Sequence, residues 1–392
     1  MRTSRCILSA VYIFFFSLFA TPASAVIDVN APSVSLKTSC TEGGVPLNNC
    51  FTTMISLRDW IQNTRTPKPT AAAPLNVDIG PGTFGTLGLN CGGTWGYTTF
   101  RGAGRKNTTI GVFGNMAYSI NLLGCTSMAF NDMTIGPIPT TAFGGINWQG
   151  TGTSSWQDVD VFSSQTYGWQ DTTGDCPPDV RGAHYWFNSR IVSTSNQGAA
   201  RPYRSTCSED WFFASEITIK PSASVDDAYV LKTTGPRAEI HFYGGVLRLI
   251  LEKGITAPAF DGIAQTGAAI AAALGGTIHI HGTGIDIQSN EANAVTALAA
   301  VNGGTIHANE AAYNLSTGAG GSVTRINNNG GHIHAPYLWE HIPNPAVTPN
   351  FTSVTGADMT TITATAGNHP HLVIYDSGCP SKWFDTTTNA CM

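Results

Sequence analysis

The sequence predicts an all-β solenoid, a chain wound into stacked coils of parallel strand, on three observations. A short apolar strand recurs, ending at Ile135, Val161, Ile191, Ile217, Leu247, Ile278, Ile306 and Ile333, at steps of 26, 30, 26, 30, 31, 28 and 27 residues. Self-similarity at a period of about 20 to 50 residues marks stacked repeat units. Second, the first four copies keep a bulky aromatic residue five places before the strand end (Phe130, Trp156, Trp186, Phe212), and three of them keep Asp132, Asp158 or Asn188 three places before it, where the fourth has Ala214. Third, residues within a copy alternate in polarity, as in Thr277-Ile278-His279-Ile280, which is the period of a strand. No copy carries the capped amphipathic stretch that a helical repeat needs.

Each part of a coil has a local reason. Asn and Asp tolerate the left-handed conformation and bond their own backbone, so the polar residue before the strand end suits a tight turn between two strands. The later copies open on paired glycines, Gly244-Gly245, Gly275-Gly276, Gly303-Gly304 and Gly330-Gly331. Ahead of the coils, Ser56 to Ile61 is the best helical stretch and is expected to cover the open apolar end of the solenoid. Pro67 to Pro74 reads as a linker, and Leu75 to Ile79 as the first strand.

Composition narrows the function classes. In 392 residues only 11% are charged, the net charge is −5, and there are 43 glycines. No basic stripe interleaved with aromatics occurs, so a nucleic-acid partner is not expected. Arg2 and Arg5 precede the apolar run Ile7 to Ala20 and the small residues Ala23-Ser24-Ala25, the pattern of a secretory signal peptide with cleavage before Val26. A secreted, extracellular or periplasmic chain with no transmembrane segment after cleavage is expected. Past Cys6 there are eight cysteines, an even number that suits disulfides in an exported protein. Eight cysteines allow 105 pairings; neighbour pairing would give Cys40–Cys50, Cys91–Cys125, Cys176–Cys207 and Cys379–Cys391. The domain plan is a signal peptide over 1–25, an N-terminal cap and linker over 26–74, coils over 75–336 and a C-terminal cap over 337–392.

The turn ladder, the opening Leu75-Asn-Val-Asp-Ile79 with Gly-Pro-Gly-Thr-Phe84, and Phe100-Arg-Gly-Ala-Gly104 before Thr108-Thr-Ile110 resemble the pectin-lyase-like superfamily of single-stranded right-handed parallel β-helices. The resemblance implies about ten coils with caps at both ends, and a working face on one outer sheet. Gly168-Trp169-Gln170-Asp171-Thr172 is similar to an element of pectin methylesterases. That likeness would make Gln170 an oxyanion holder and Asp171 a general acid/base, with Trp169 beside the substrate. Counting 15 residues back from the strand ends at 217 and 247 places Arg201, Arg204 and Lys232 on coils adjacent to Asp171. Arginine and lysine clamp uronate carboxylates, and in related lyases an arginine abstracts the proton in β-elimination, a role that falls here on Arg204. The blander alternative is that these cations are surface charges paired with Glu209 and Asp210.

Arg248, His279, His307 and His334 take one place just after successive strand ends, with His281 two residues beyond His279. No acidic residue completes a ligand set with them in the sequence, so they read as a stacked solvent-facing ladder and no metal site is assigned. Two functions follow. One is a monomeric carbohydrate-active protein acting on an acidic extracellular polysaccharide by elimination or de-esterification, without cofactor except calcium in the lyase case. The other is a non-catalytic surface, adhesin or polysaccharide-binding protein.

Overall fold

Alternating residues of each repeat form strands that pair in parallel with the same stretch one coil away. The computed structural model describes residues 26–341 apart from 112, 114–115, 137–143, 165, 172–180, 196–197, 262–266 and 317–320, together with 384–385 and 390–391. Residues 1–25, expected to be a signal peptide, and almost all of the expected C-terminal cap, with Cys176 and Cys379, lie outside the described residues. Two parallel sheets, one of sixteen strands and one of nine, are built from the described residues. The nine-stranded sheet forms one face, here the front sheet. The sixteen-stranded sheet is bent, because each coil turns a corner within it. Front strand, corner and two arms of the bent sheet make one coil, and the stack of coils is a parallel β-helix, the fold that the resemblance implies. Crossovers between parallel strands are almost always right-handed.

The corner inside the bent sheet is the predicted ladder. Asp132, Asp158, Asn188 and Ala214 have φ of 58°, 55°, 47° and 49°, and Gly244 and Gly282 continue the series at 66° and 56°. This left-handed conformation costs an ordinary side chain about 1–2 kcal/mol, which is why asparagine, aspartate and glycine collect there. Inside the first arm, Phe100, Phe130, Trp156, Trp186, Phe212 and Phe242 stack in register, with centroids 4.2–5.7 Å apart. In the second arm Ile135, Val161, Ile191, Ile217 and Leu247 pair rung on rung.

That column does not continue as the sequence suggests. Leu247 pairs with Ile285, whereas Ile278, Ile306 and Ile333 continue from Ile240 in the first arm. The glycine pairs explain the slip. Gly244 sits at the corner inside the bent sheet, but Gly275, Gly303 and Gly330 sit between the front sheet and the bent sheet. Both corners need positive φ, so they look alike in sequence.

Thr53 caps the helix Met54–Asp59 by accepting from the Ser56 N–H at 3.1 Å, and a wider turn continues through Trp60–Thr64. Its apolar side, Met54, Leu57, Trp60 and Ile61, packs onto the first coils. The bent sheet begins earlier than Leu75: strand Ser33–Leu36 pairs with Leu75–Ile79 and with Cys50–Phe51. Disulfides Cys40–Cys50 and Cys91–Cys125 are both formed as expected. Cys207 is also disulfide-bonded. Among the described residues no helix is long and apolar enough to cross a membrane.

Candidate functional site

The front sheet carries the cationic residues. Strands Tyr118–Leu123, Gly144–Gln149, Tyr167–Asp171, Ala199–Ser205 and Asp227–Thr233 lie side by side in that order. Register places Asn121, Asn147, Gln170, Arg204 and Lys232 in one column. A second column, Tyr118, Gly144, Tyr167 and Arg201, runs beside it. Both columns lie on the outer side, amides first and then cations. Rungs of a parallel sheet are about 4.8 Å apart. The segments 162–185 and 192–210 contain two of these front strands, so much of their length is regular coil.

Hydrogen bonds organise this face. Asn147 Nδ2 donates to Asn121 Oδ1 at 2.8 Å, and the Tyr118 hydroxyl donates to Gln170 Oε1 at 3.0 Å. The Tyr167 hydroxyl accepts from Arg201 at 2.8 Å and from Arg204 at 3.3 Å. Arg201 is held by Asp227, with Nε 2.9 and 3.0 Å from the two carboxylate oxygens. Lys232 lies over the Tyr229 ring, 4.4 Å from its centroid. Neither Arg204 nor Lys232 forms a salt bridge with a described carboxylate, and the buried Arg204 Nε has no hydrogen-bond partner. Lys232 is only 5% exposed. Burial, with Arg201 nearby, pushes its ammonium down to about 8.

The expected site therefore assembles in part. Arg204 and Lys232 stand on successive rungs, where the count of coils puts them, but the rung before them carries Gln170 on the outer side and not the expected Asp171. Arg201 is nearby but paired to Asp227, not to Glu209 or Asp210. Asp171 is a correction: it is 1% exposed, on the inner side, and its Oδ2 accepts from the Cys207 N–H at 2.8 Å. Trp169 is another. Its ring lies wholly inside, edge-on to Trp156 and Trp186 and stacked on Tyr203. The reason is alternation: in a strand, residues 169 and 171 face the side opposite 170. Gly168 also faces in, where a Cβ would lie 2.6 Å from Ile191 Cγ2, so only glycine fits that close approach.

Sequence reasoning missed a polar column inside the first arm, where Ser154, His184 and Asp210 occupy consecutive rungs. Trp156 Nε1 donates to Ser154 Oγ at 2.7 Å, and Ser154 Oγ shares a hydrogen bond with His184 Nδ1, also at 2.7 Å. Burial pushes His184 down to about 3 and the Asp210 carboxyl up to about 8. The trio has catalytic residue types, but all three are sealed among tryptophan rings, with His184 edge-on to Trp148 and Trp169 at 4.8 Å. It is part of the core.

The histidine ladder is real and one member differs. His241, His279, His307 and His334 are in register, with Trp211 below them. Arg248 belongs to the second arm, where it binds Glu216 and Asp286. His241 joins the ladder because Ile278, Ile306 and Ile333 continue the first arm, where His241 stands one rung before His279. The rings stack at 3.8 Å (Trp211–His241), 4.5 Å (His241–His279) and 4.9 Å (His279–His307).

No family model matches the chain, and no curated protein does. Among solved structures, the pectin methylesterase PemA from Erwinia chrysanthemi matches at 11% identity over 76% of this chain and 92% of that one, with a TM-score of 0.43.

Proposed function

We propose that this chain is a secreted β-helix that binds an acidic extracellular polysaccharide along its front sheet. The observation that carries the reading is the pair Arg204 and Lys232, two cations on adjacent rungs with no described carboxylate between them. Like charges this close raise each other's cost, and in a largely desolvated place the natural relief is an anion that both can reach. A polymer with repeating carboxylates supplies such anions in series, and the amides of Asn121, Asn147 and Gln170 continue the face with donors and acceptors for hydroxyls. Binding without hydrolysis fits the inward position of Asp171. De-esterification through Gln170 and Asp171 is not retained, because the acid lies on the other side of the sheet.

A second reading keeps elimination, favoured by one observation. Lys232, with its proton affinity lowered to about 8, is partly neutral near neutral pH. It would take the proton next to a uronate carboxylate held by Arg204, while the electron pair forms the double bond and expels the glycosidic oxygen. Calcium remains a possible partner of that chemistry only.

Calorimetry with polygalacturonate, alginate and a neutral glucan tests both. Binding of a uronate polymer, weakened at least tenfold by Arg204→Gln and by Lys232→Gln, is expected. Ultraviolet absorbance of unsaturated products, rising with pH through about 8 and lost in Lys232→Gln, separates a lyase from a binder. Equal binding of the neutral glucan, or binding that both substitutions leave intact, removes the proposal.

A further inference from the structure

We propose that Glu239, His241 and His279, with Glu209 as fourth ligand, form a binding site for a divalent transition cation, Zn²⁺ by its chemistry, on the outer face of the first arm. It lies on a different face from the cationic front sheet and is independent of the glycan-binding reading.

The ligand atoms converge already. Glu239 Oε1 is 3.1 Å from His241 Nε2 and 3.2 Å from His279 Nε2, and Glu209 Oε1 is 3.9 Å from His241 Nε2. The Glu239, His241 and His279 ligand atoms lie within 4.8 Å of one another. Donors at tetrahedral zinc distances stand about 3.4 Å from each other, so the two contacts to Glu239 Oε1 already fit, while the two imidazole nitrogens must close in and Glu209, outside that group of three, must swing toward it. The two imidazoles are stacked 3° from parallel, and a turn of each ring about its Cβ–Cγ bond aims both lone pairs at one ion.

Two further features point to a ligand. His241 has a side chain only 10% exposed, yet neither of its ring nitrogens has a hydrogen-bond partner. Its approach to Glu239 is thus a contact out of line with an N–H bond. Such a buried imidazole is costly unless something engages it. The carboxylates are also held by their other oxygens: Arg181 binds Glu239 Oε2 at 2.9 Å and Glu209 Oε2 at 3.3 Å, leaving both Oε1 atoms toward the histidines. Trp211 Nε1 donates to Glu209 Oε1 at 3.1 Å. This is the outer layer of orienting bonds that metal-binding carboxylates commonly have. Two imidazole nitrogens and two carboxylate oxygens form a borderline donor set that suits zinc and copper, not calcium or magnesium. The ligands come from three successive rungs, so an ion there would staple the strands Ser208–Ile219, Glu239–Leu251 and Thr277–His281.

The test is titration of the untagged secreted chain with ZnCl₂ by calorimetry, and with CoCl₂ by visible absorbance. One ion per chain is expected, with a tetrahedral cobalt spectrum and a melting temperature that rises with zinc. Glu239→Gln and His279→Gln, both at partly exposed positions, should each weaken zinc at least tenfold without changing the circular dichroism spectrum. His334→Gln, at the far end of the ladder, should change affinity less than twofold. No saturable uptake by the unmodified chain overturns the proposal. So does uptake unchanged in Glu239→Gln, or uptake weakened as much by His334→Gln, since either would place the ion on the imidazole ladder alone.

Discussion

Asp210→Asn should reshape the pH dependence of stability. In the folded chain the Asp210 carboxyl is pushed up to about 8 by burial, which the hydrogen bond from Ser205 opposes and the charge of Asp171 reinforces. In the unfolded chain it titrates near its ordinary value, 3.8. Between these values the folded state holds a proton that the unfolded state has released, so stability is fully present below 3.8 and falls as pH rises toward 8. His184 works the other way. Its folded value is about 3 against an ordinary 6.5, so stability falls as pH drops through that window. From about 4 to 6.5 the two slopes, each about 1.4 kcal/mol per pH unit, cancel. Above 6.5 Asp210 acts alone, and over the remaining 1.5 units removes about 2 kcal/mol. An asparagine keeps the shape of the neutral acid and an acceptor for Ser208. The variant should therefore lack the Asp210 slope, so that its stability relative to the parent rises by about 1.4 kcal/mol per unit as pH increases from about 4 to 8. Urea denaturation at half-unit steps from pH 4.5 to 8.5, disulfides intact, reads this as the difference between variant and parent, which cancels the other carboxylates. A difference that does not change with pH would refute the assignment of Asp210 as a buried neutral acid.

Ala214 holds a left-handed φ of 49° between Asn188 and Gly244 in the corner ladder; Ala214→Gly should raise unfolding stability by about 1 kcal/mol, and a loss would mean that the corner is held by something other than backbone preference. Trp156 is fully buried between Phe130 and Trp186, so Trp156→Ala should cost about 3–5 kcal/mol in chemical denaturation; a cost under about 1 kcal/mol would show that the stack collapses without penalty.

How much of this was legible in the sequence depends on how far each feature reaches along the chain. Strand alternation and left-handed corners are properties of a few adjacent residues, so coil, ladder and aromatic stack could be read directly from Phe130, Asp132 and their repeats. The stacking of Arg204 on Lys232 was legible too, because the first coils are regular enough to count. Three things were decided only by tertiary structure. Glycine pairs serve two different corners, so nothing local tells Gly244 from Gly275, and the registers of Ile278 and Arg248 slipped by one arm. A motif of adjoining residues cannot show one side of a sheet, so Gln170 faces solvent while Trp169 and Asp171 face the core. And side chains 30 or more residues apart in sequence meet only when coils close, which is how Glu209, Glu239, His241 and His279 come together. The length of each coil, set by corners of variable size, decides which rung rests on which, and that closure is not written in any single repeat.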